Sequence, residues 1–220
     1  MANPIKPTLK TEILPILLLI ISISASFYFY ANFPEQVPTH WNYKGEIDNY
    51  SSKAFAAFFF PALNLGLYLM FLGLPYLDPK KERYQQFAKV YHVFKTVFVI
   101  FMTFIYFLTG AAGLGYPVSI GSIMPFSIGL LFIVLGNYMS KIKPNWFMGI
   151  RTPWTLSNEE VWNKTHRIGG KMFIAMGLIM VIGTFIPNNE YWKIFPFAII
   201  AFVFIPIIYS YLAYRKLEKK

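Results

Sequence analysis

The polar residues best suited to chemistry lie in one short segment, PEQVPTHWNYKGEIDNYSSK, residues 34–53. His40, Asn42 and Asp48 supply an imidazole, an amide and a carboxylate, and Gly45 lies in a stretch that suits a tight turn. Such groups can converge on a peptide or on a lipid headgroup through hydrogen bonds. His40 and Asp48 could also form a catalytic dyad, but no activated serine motif accompanies them. The alternative interpretation is an ordinary capped turn between two helices.

A second segment rich in polar and aromatic residues, NWFMGIRTPWTLSNEEVWNKTHRIGGK, covers residues 145–171. Ser157 followed by Glu160 fits a capping box, in which both side chains satisfy exposed backbone N–H groups. The pattern predicts a short helix that stops at Gly169 and Gly170. One face of this helix is formed by Val161, Trp162, Thr165 and Ile168. Positive charge is added by Lys164, Arg167 and Lys171. We expect an interfacial amphipathic helix, which either anchors the segment in lipid or offers a surface to a partner.

Catalytic and metal chemistry find little support in the residues. Cysteine is absent, which excludes disulfides, thiolate metal sites and a cysteine nucleophile. The three histidines, His40, His92 and His166, fall on two sides of the membrane in the topology that the apolar spans predict, so they cannot form one metal site. Glu159 and Glu160 are adjacent on a helix and point apart. We therefore expect no enzyme activity, no cofactor and no bound metal.

Six long apolar runs set the architecture that must position these segments. Of 220 residues, 56% are hydrophobic and 14% are charged, whereas about a quarter of a soluble domain is charged. A run of about 20 apolar residues crosses the bilayer as a helix, because lipid offers no partners to backbone polar groups. The predicted spans are 13–31, 54–77, 90–114, 118–139, 172–187 and 194–214. The sequence therefore predicts an all-α polytopic membrane helix bundle, with residues 1–220 forming a single domain.

Lysine and arginine are distributed unevenly between the two sides of these spans. Sixteen of them lie in the two termini and in the loops 78–89 and 140–171, and three lie in the remaining loops. Because cytoplasmic loops carry the excess of positive charge, both termini and the loop 140–171 are predicted inside, and the loop 32–53 outside. The net charge of +10 fits a basic inner surface against anionic membrane lipids. It gives no reason to expect direct nucleic-acid binding.

Lys95 is the only ionisable residue well inside a predicted span. It is close enough to the cytoplasmic end for its ammonium to extend to the headgroups. No acidic residue lies inside any predicted span to pair with it. A proton- or cation-driven transporter needs embedded carboxylates, so the sequence argues against one. Asn64, near the middle of the second span, is expected to bond to a neighbouring helix.

The segment 149–171 strongly resembles the pattern of the SdpI-like family, the Sdp bacteriocin immunity and signal-transduction membrane proteins. The matching positions are Gly149, Arg151, Thr152, Pro153, Trp154, Ser157, Trp162, Thr165, His166 and Gly169. The segment 34–53 is similar to the uncharacterised domain often found N-terminal in such proteins. Its matching positions are Pro38, His40, Asn42, Gly45 and Asp48. Together the resemblance covers about residues 13–187.

The resemblance implies a multi-pass protein of the bacterial inner membrane. The best-known member of the family protects a cell from a secreted antimicrobial peptide, and it signals by holding a transcriptional repressor at the membrane. By resemblance, His40, Asn42, Gly45 and Asp48 are candidates for binding a toxin outside. The candidates for binding a partner or for signalling inside are Gly149, Arg151, Thr152, Trp154, Ser157, Trp162, His166 and Arg167.

Other functions stay open on the residues alone. A small transporter or channel requires a polar path through the helices, which the sequence scarcely provides. A membrane signalling protein unrelated to toxins is also compatible with the loop 140–171. A membrane enzyme would depend on His40 or Asp48. The residues favour no particular toxin, repressor or oligomeric state.

Overall fold

Long apolar helices make up most of the computed structural model, which describes residues 5–42, 44–186 and 195–219. The six that are long and apolar enough to cross a membrane are α1 (Leu9–Asn32), α2 (Lys53–Leu77), α3 (Ala88–Gly113), α4 (Ile120–Met139), α6 (Glu159–Gly183) and α7 (Phe195–Glu218). The short helix α5 (Pro153–Ser157) precedes α6, and a 3-10 helix, Lys81–Phe87, precedes α3. The predicted all-α polytopic class with six spans is confirmed. The side on which each terminus lies stays a prediction, and the predicted span limits 187 and 194 lie outside the described residues.

Helix α1 begins earlier than its apolar run predicts. Thr8 caps it, because the Thr8 hydroxyl accepts a hydrogen bond from the Thr11 N–H, and the Thr11 hydroxyl accepts one from the Thr8 N–H at 2.9 Å. This reciprocal capping starts the helix at Leu9, four residues before the predicted start. As a result, Glu12 lies in the first turns of a membrane-length helix.

Glu12 pairs with Lys95, which corrects the prediction that no acidic residue lies in a span with it. Both side chains are buried, with residue exposures of 8% for Glu12 and 1% for Lys95. The Lys95 ammonium donates to the Glu12 carboxylate, and the Tyr68 hydroxyl donates to its other oxygen at 2.8 Å. The His92 Nδ1 lies 3.8 Å from the oxygen that Lys95 binds. Lys95 is therefore held in the protein, and the argument against a transporter from missing carboxylates no longer applies.

The described chain forms two compact units. One, which we call the hairpin unit, comprises Pro7–Gly73 and His92–Pro125. Its core includes Phe29 on α1, and Tyr106 on α3, whose hydroxyl donates to the Ala57 carbonyl at 2.8 Å. The Asn64 amide donates to the Thr103 hydroxyl at 3.1 Å, which confirms that Asn64 bonds to a neighbouring helix.

The other unit, which we call the motif unit, comprises Leu74–Tyr91 and the described parts of Met1–Lys6 and Phe126–Lys220. Its helices α4 and α6 approach closely at glycines: a Cβ added at Gly129 would lie 2.7 Å from the Gly177 carbonyl oxygen, and one at Gly136 would lie 2.6 Å from that of Gly170. Small residues allow such contacts between membrane helices. Gly170 therefore packs inside a continuous α6, and the prediction that this helix stops at Gly169 and Gly170 is wrong.

The start of α6 also differs from the predicted capping box. Asn158 is the N-cap, and its Oδ1 accepts hydrogen bonds from the Glu160 N–H at 2.8 Å and the Val161 N–H at 3.1 Å. The Ser157 hydroxyl donates instead to the Trp154 carbonyl at 3.1 Å. The box is not formed because Asn158 satisfies these donors itself, one residue later than predicted.

Candidate functional site

The first candidate region is a β-hairpin between α1 and α2. Strands β1 (Gln36–Trp41) and β2 (Ile47–Ser52) are antiparallel, so this segment is more ordered than the capped turn considered as an alternative. Val37 anchors the hairpin, since it is 1% exposed and belongs to the core of the hairpin unit. A Cβ on Gly113 of α3 would lie 2.8 Å from Val37 Cγ1, which shows how closely the hairpin is packed.

The hairpin brings His40 and Asp48 together. His40 Nδ1 lies 2.5 Å from Asp48 Oδ1, across a ladder whose register is irregular on both sides of His40. Their side chains are 66% and 42% exposed. No described residue bonds to His40 Nε2 or to Asp48 Oδ2. The pair therefore leaves a ring nitrogen and a carboxylate oxygen exposed and able to form further hydrogen bonds.

Asn42 and Gly45 shape the turn that carries this pair. The Asn42 side-chain oxygen accepts from the N–H groups of Lys44 at 2.8 Å and Glu46 at 3.1 Å, and its amide donates to the Glu46 carboxylate at 2.9 Å. Gly45 has a φ of +82°, which favours glycine, and a Cβ there would lie 3.0 Å from the Gly121 Cα. The turn is thus packed against the beginning of α4, within the hairpin unit.

The second candidate region is the segment before and into α6, centred on His166. The His166 Nδ1 bonds to the Trp162 carbonyl at 2.9 Å and must donate, so Nε2 accepts from the Ile150 N–H at 3.0 Å. This pattern requires a neutral ring with its proton on Nδ1. Gly149 has a φ of +103°, and a Cβ there would lie 2.2 Å from His166 Nε2. Only glycine fits against the ring.

Trp162 completes this buried arrangement. Its ring stacks on His166 with centroids 4.0 Å apart, and its Nε1 donates to the Ile142 carbonyl at 2.8 Å. Trp162 and His166 are both 0% exposed. The helical face predicted to lie on the membrane surface is therefore packed inside the protein, and the predicted interfacial helix is the first half of α6.

Helix α5 is fixed to α7. Thr152 caps α5 by accepting from the Thr155 N–H at 3.2 Å, and its hydroxyl donates to the Ser210 hydroxyl at 3.0 Å. The Trp154 ring lies 5.1 Å from the Tyr211 ring. Thr152 is buried, Trp154 is half-buried, and Arg151, Ser157 and Arg167 are exposed.

Two further side chains hold this segment and were missed at the sequence level. Asn145 is 0% exposed, accepts from the N–H groups of Phe147 and Met148, and donates to the Met148 carbonyl at 3.1 Å. Asp78 accepts from the Trp146 N–H and from the Tyr84 hydroxyl, each at 2.9 Å. The Pro-Asn pair before an aromatic residue indicates a turn at Asn145, but no local signal links Asp78 to a segment 68 residues away.

Comparison with known proteins matches both regions. Residues 141–210 match the model of the SdpI/YfhL protein family, and residues 17–65 match a Domain of unknown function (DUF1648). The chain is 27% identical over 210 residues to "Immunity protein SdpI" of Bacillus subtilis (strain 168), covering 96% of this chain and 99% of that protein. No solved structure matches the chain.

Proposed function

We propose that this chain, a multi-pass membrane protein similar to SdpI, makes a bacterium immune to a secreted antimicrobial peptide. The observation that carries the proposal is similarity to an immunity protein along 96% of the chain, which includes both candidate regions. That protein is named for immunity and not for an enzymatic activity. We propose that this chain has no enzymatic role.

We propose that the toxin contacts the hairpin from the outer side. His40 and Asp48 are exposed, held together at 2.5 Å, and supported by the packed turn. A preorganised site loses little conformational entropy on binding. His40 Nε2 and Asp48 Oδ2 can then bond to peptide N–H or C=O groups or to a cationic side chain. In this proposal, Asn42 and Gly45 support the site by holding the turn.

We propose that the segment before α6 acts on the inner side, against a cytoplasmic repressor and the lipid headgroups. The exposed Arg151, Ser157 and Arg167 are the candidates for direct contact with the repressor. Trp162 and His166 are buried and connect that surface to α6, because His166 accepts from the Ile150 N–H. A displacement of α6 would therefore move the exposed surface.

Hairpin variants test the toxin site. The chain is expressed in Bacillus subtilis that lacks its own SdpI, and survival is measured against the toxin that kills that strain. Replacing Asp48 with Asn or His40 with Ala removes a charged hydrogen bond, so the toxin concentration tolerated should fall about tenfold to a hundredfold. Glu35→Gln is the matched control, because it breaks another exposed ion pair of the same segment, Glu35–Lys53 at 2.7 Å.

The expected pattern is loss of protection in the two hairpin variants and full protection with Glu35→Gln, at equal amounts of protein in the membrane. Equal protection by all variants would remove the hairpin from toxin binding. Equal loss in all three would show that the segment acts through its overall charge and not through the His40–Asp48 pair.

A second candidate function is a small proton- or cation-coupled transporter. Buried charge favours it: Glu12 and Lys95 lie inside the hairpin unit, and His92 Nδ1 is 3.8 Å from Glu12. Ionisable residues within membrane helices often mark ion pathways. Purified protein in liposomes with a pH dye separates the two functions, because a transporter moves ions without toxin, whereas an immunity protein leaves the proton gradient intact.

A further inference from the structure

An apolar groove with a volume of about 450 Å³ opens in the motif unit between α5, α6 and α7. Phe173 on α6, and Phe202, Pro206 and Ile207 on α7, line the groove, and so does the exposed Arg151. Ligand sites in proteins have volumes of about 300–1,000 Å³ and mostly apolar walls with a few placed polar groups. The groove has that composition.

The walls of the groove are fixed by direct contacts. Two contacts join the beginning of α5 to α7. The Thr152 hydroxyl donates to the Ser210 hydroxyl at 3.0 Å, and the ring centroids of Trp154 and Tyr211 lie 5.1 Å apart. The Phe173 ring contacts the Phe202 ring edge-on, with ring centroids 4.7 Å apart, and this contact joins α6 to α7. The groove is therefore formed before a ligand enters it.

Arg151 supplies a positive charge at the groove and forms no ion pair with any described residue. One of its N–H groups donates to the Trp146 carbonyl at 2.5 Å, and the side chain is exposed. No carboxylate pairs with it among the residues that the structure describes, and the two carboxylates that begin α6 pair elsewhere, Glu159 with Arg83 and Glu160 with Lys164. The guanidinium is therefore fixed by the Trp146 carbonyl and forms no salt bridge within the described part of the chain.

We propose that this groove binds an anionic phospholipid, with one acyl chain against Phe173 and Ile207 and the phosphate at Arg151. Helices α6 and α7 are of membrane length, so the surroundings of the groove supply amphipathic molecules with this chemistry. The planar guanidinium matches the geometry of a phosphate, and basic pockets between membrane helices bind anionic headgroups. The assignment does not depend on the proposed immunity.

Native mass spectrometry of the purified full-length chain tests the site. The protein is mixed with phosphatidylglycerol or phosphatidylcholine of identical acyl chains, and bound lipid is counted. Arg151→Gln should lower the preference for phosphatidylglycerol about fivefold, the effect of one basic residue at a membrane surface. Arg167→Gln is the matched control, because it removes the same charge from an exposed position that does not line the groove.

Two more variants separate the parts of the site. Ile207→Trp fills the groove and should lower binding of both lipids. Arg151→Lys keeps the charge but loses the planar fork, and should lie between wild type and Arg151→Gln, which also covers the case in which Arg151→Gln fails to fold. An unchanged lipid preference in both Arg151 variants, or an equal loss in Arg167→Gln, would overturn the headgroup assignment. Two results would overturn the groove as a lipid site. One is undiminished lipid binding to Ile207→Trp. The other is a dimer without bound lipid that forms in wild type and in the other variants but not in Ile207→Trp.

Discussion

Replacing Lys95 with Met tests the buried ion pair. The change leaves the Glu12 carboxylate, 8% exposed, without its ammonium partner. Removing one member of a buried pair costs about 3–5 kcal/mol of unfolding free energy, because the remaining charge is desolvated without compensation. The Tyr68 hydroxyl still donates to Glu12 at 2.8 Å, and His92 lies 3.8 Å from it. These contacts place the expected loss at the lower end, about 3 kcal/mol.

Denaturant unfolding of the detergent-solubilised protein measures this loss. Adding Glu12→Gln to Lys95→Met removes the orphaned charge and should restore most of the stability, to within about 1 kcal/mol of wild type. Lys53→Met is the control, because the Lys53–Glu35 pair is exposed and contributes little. The reasoning is refuted if Lys95→Met destabilises no more than Lys53→Met, or if Glu12→Gln brings no recovery in the double variant.

Two glycine substitutions give further predictions. Gly149→Ala should destabilise its segment by about 1–3 kcal/mol, because alanine is strained at a φ of +103°, and further because its Cβ would lie 2.2 Å from His166 Nε2. Trypsin should therefore cleave this segment faster than in wild type. An unchanged cleavage rate would contradict the tight fit. Gly45→Ala should lower the thermal midpoint more than Gly115→Ala, since both have positive φ, +82° and +86°, but only the Gly45 Cβ meets a neighbour, Gly121, at 3.0 Å. Equal shifts would mean that the turn is not packed against α4.

The membrane helices could be predicted from sequence, because lipid requires long apolar runs whose backbone bonds internally. The residues at which these helices begin and end could not be predicted in the same way. An apolar run stops where charge begins, but α1 extends past Glu12 to its cap at Thr8. That difference hid the partner of Lys95, since pairing across 83 residues leaves no mark on local sequence.

The hairpin was missed because its strands are short and mostly polar, although the turn at Asn42 and Gly45 was expected. The residue types of His40 and Asp48 allowed a dyad without predicting one, and the structure brings the two side chains within 2.5 Å. Within α6, the paired glycines at 169 and 170 suit either a helix end or a close helix contact, and the contact with α4 decided it.

The burial of Trp162 and His166 could not be deduced, because an apolar helical face suits lipid and protein equally well. The family resemblance marked these positions without saying how they act. The structure shows that both side chains hold the segment before α6, through the bonds to Ile142 and Ile150. Their neighbours Arg151 and Arg167 are exposed, and we propose that these two residues contact a partner.

The measurement that most directly tests the proposed immunity is survival of Bacillus subtilis that lacks its own SdpI and expresses this chain. The cells are exposed to the toxin that kills the deletion strain, and a potential-sensitive dye follows the membrane. We predict that expression preserves both viability and membrane potential, and that Asp48→Asn lowers the toxin concentration tolerated by about tenfold to a hundredfold. Death and depolarisation at the rate of the empty strain, with the protein present in the membrane, would contradict immunity to that toxin.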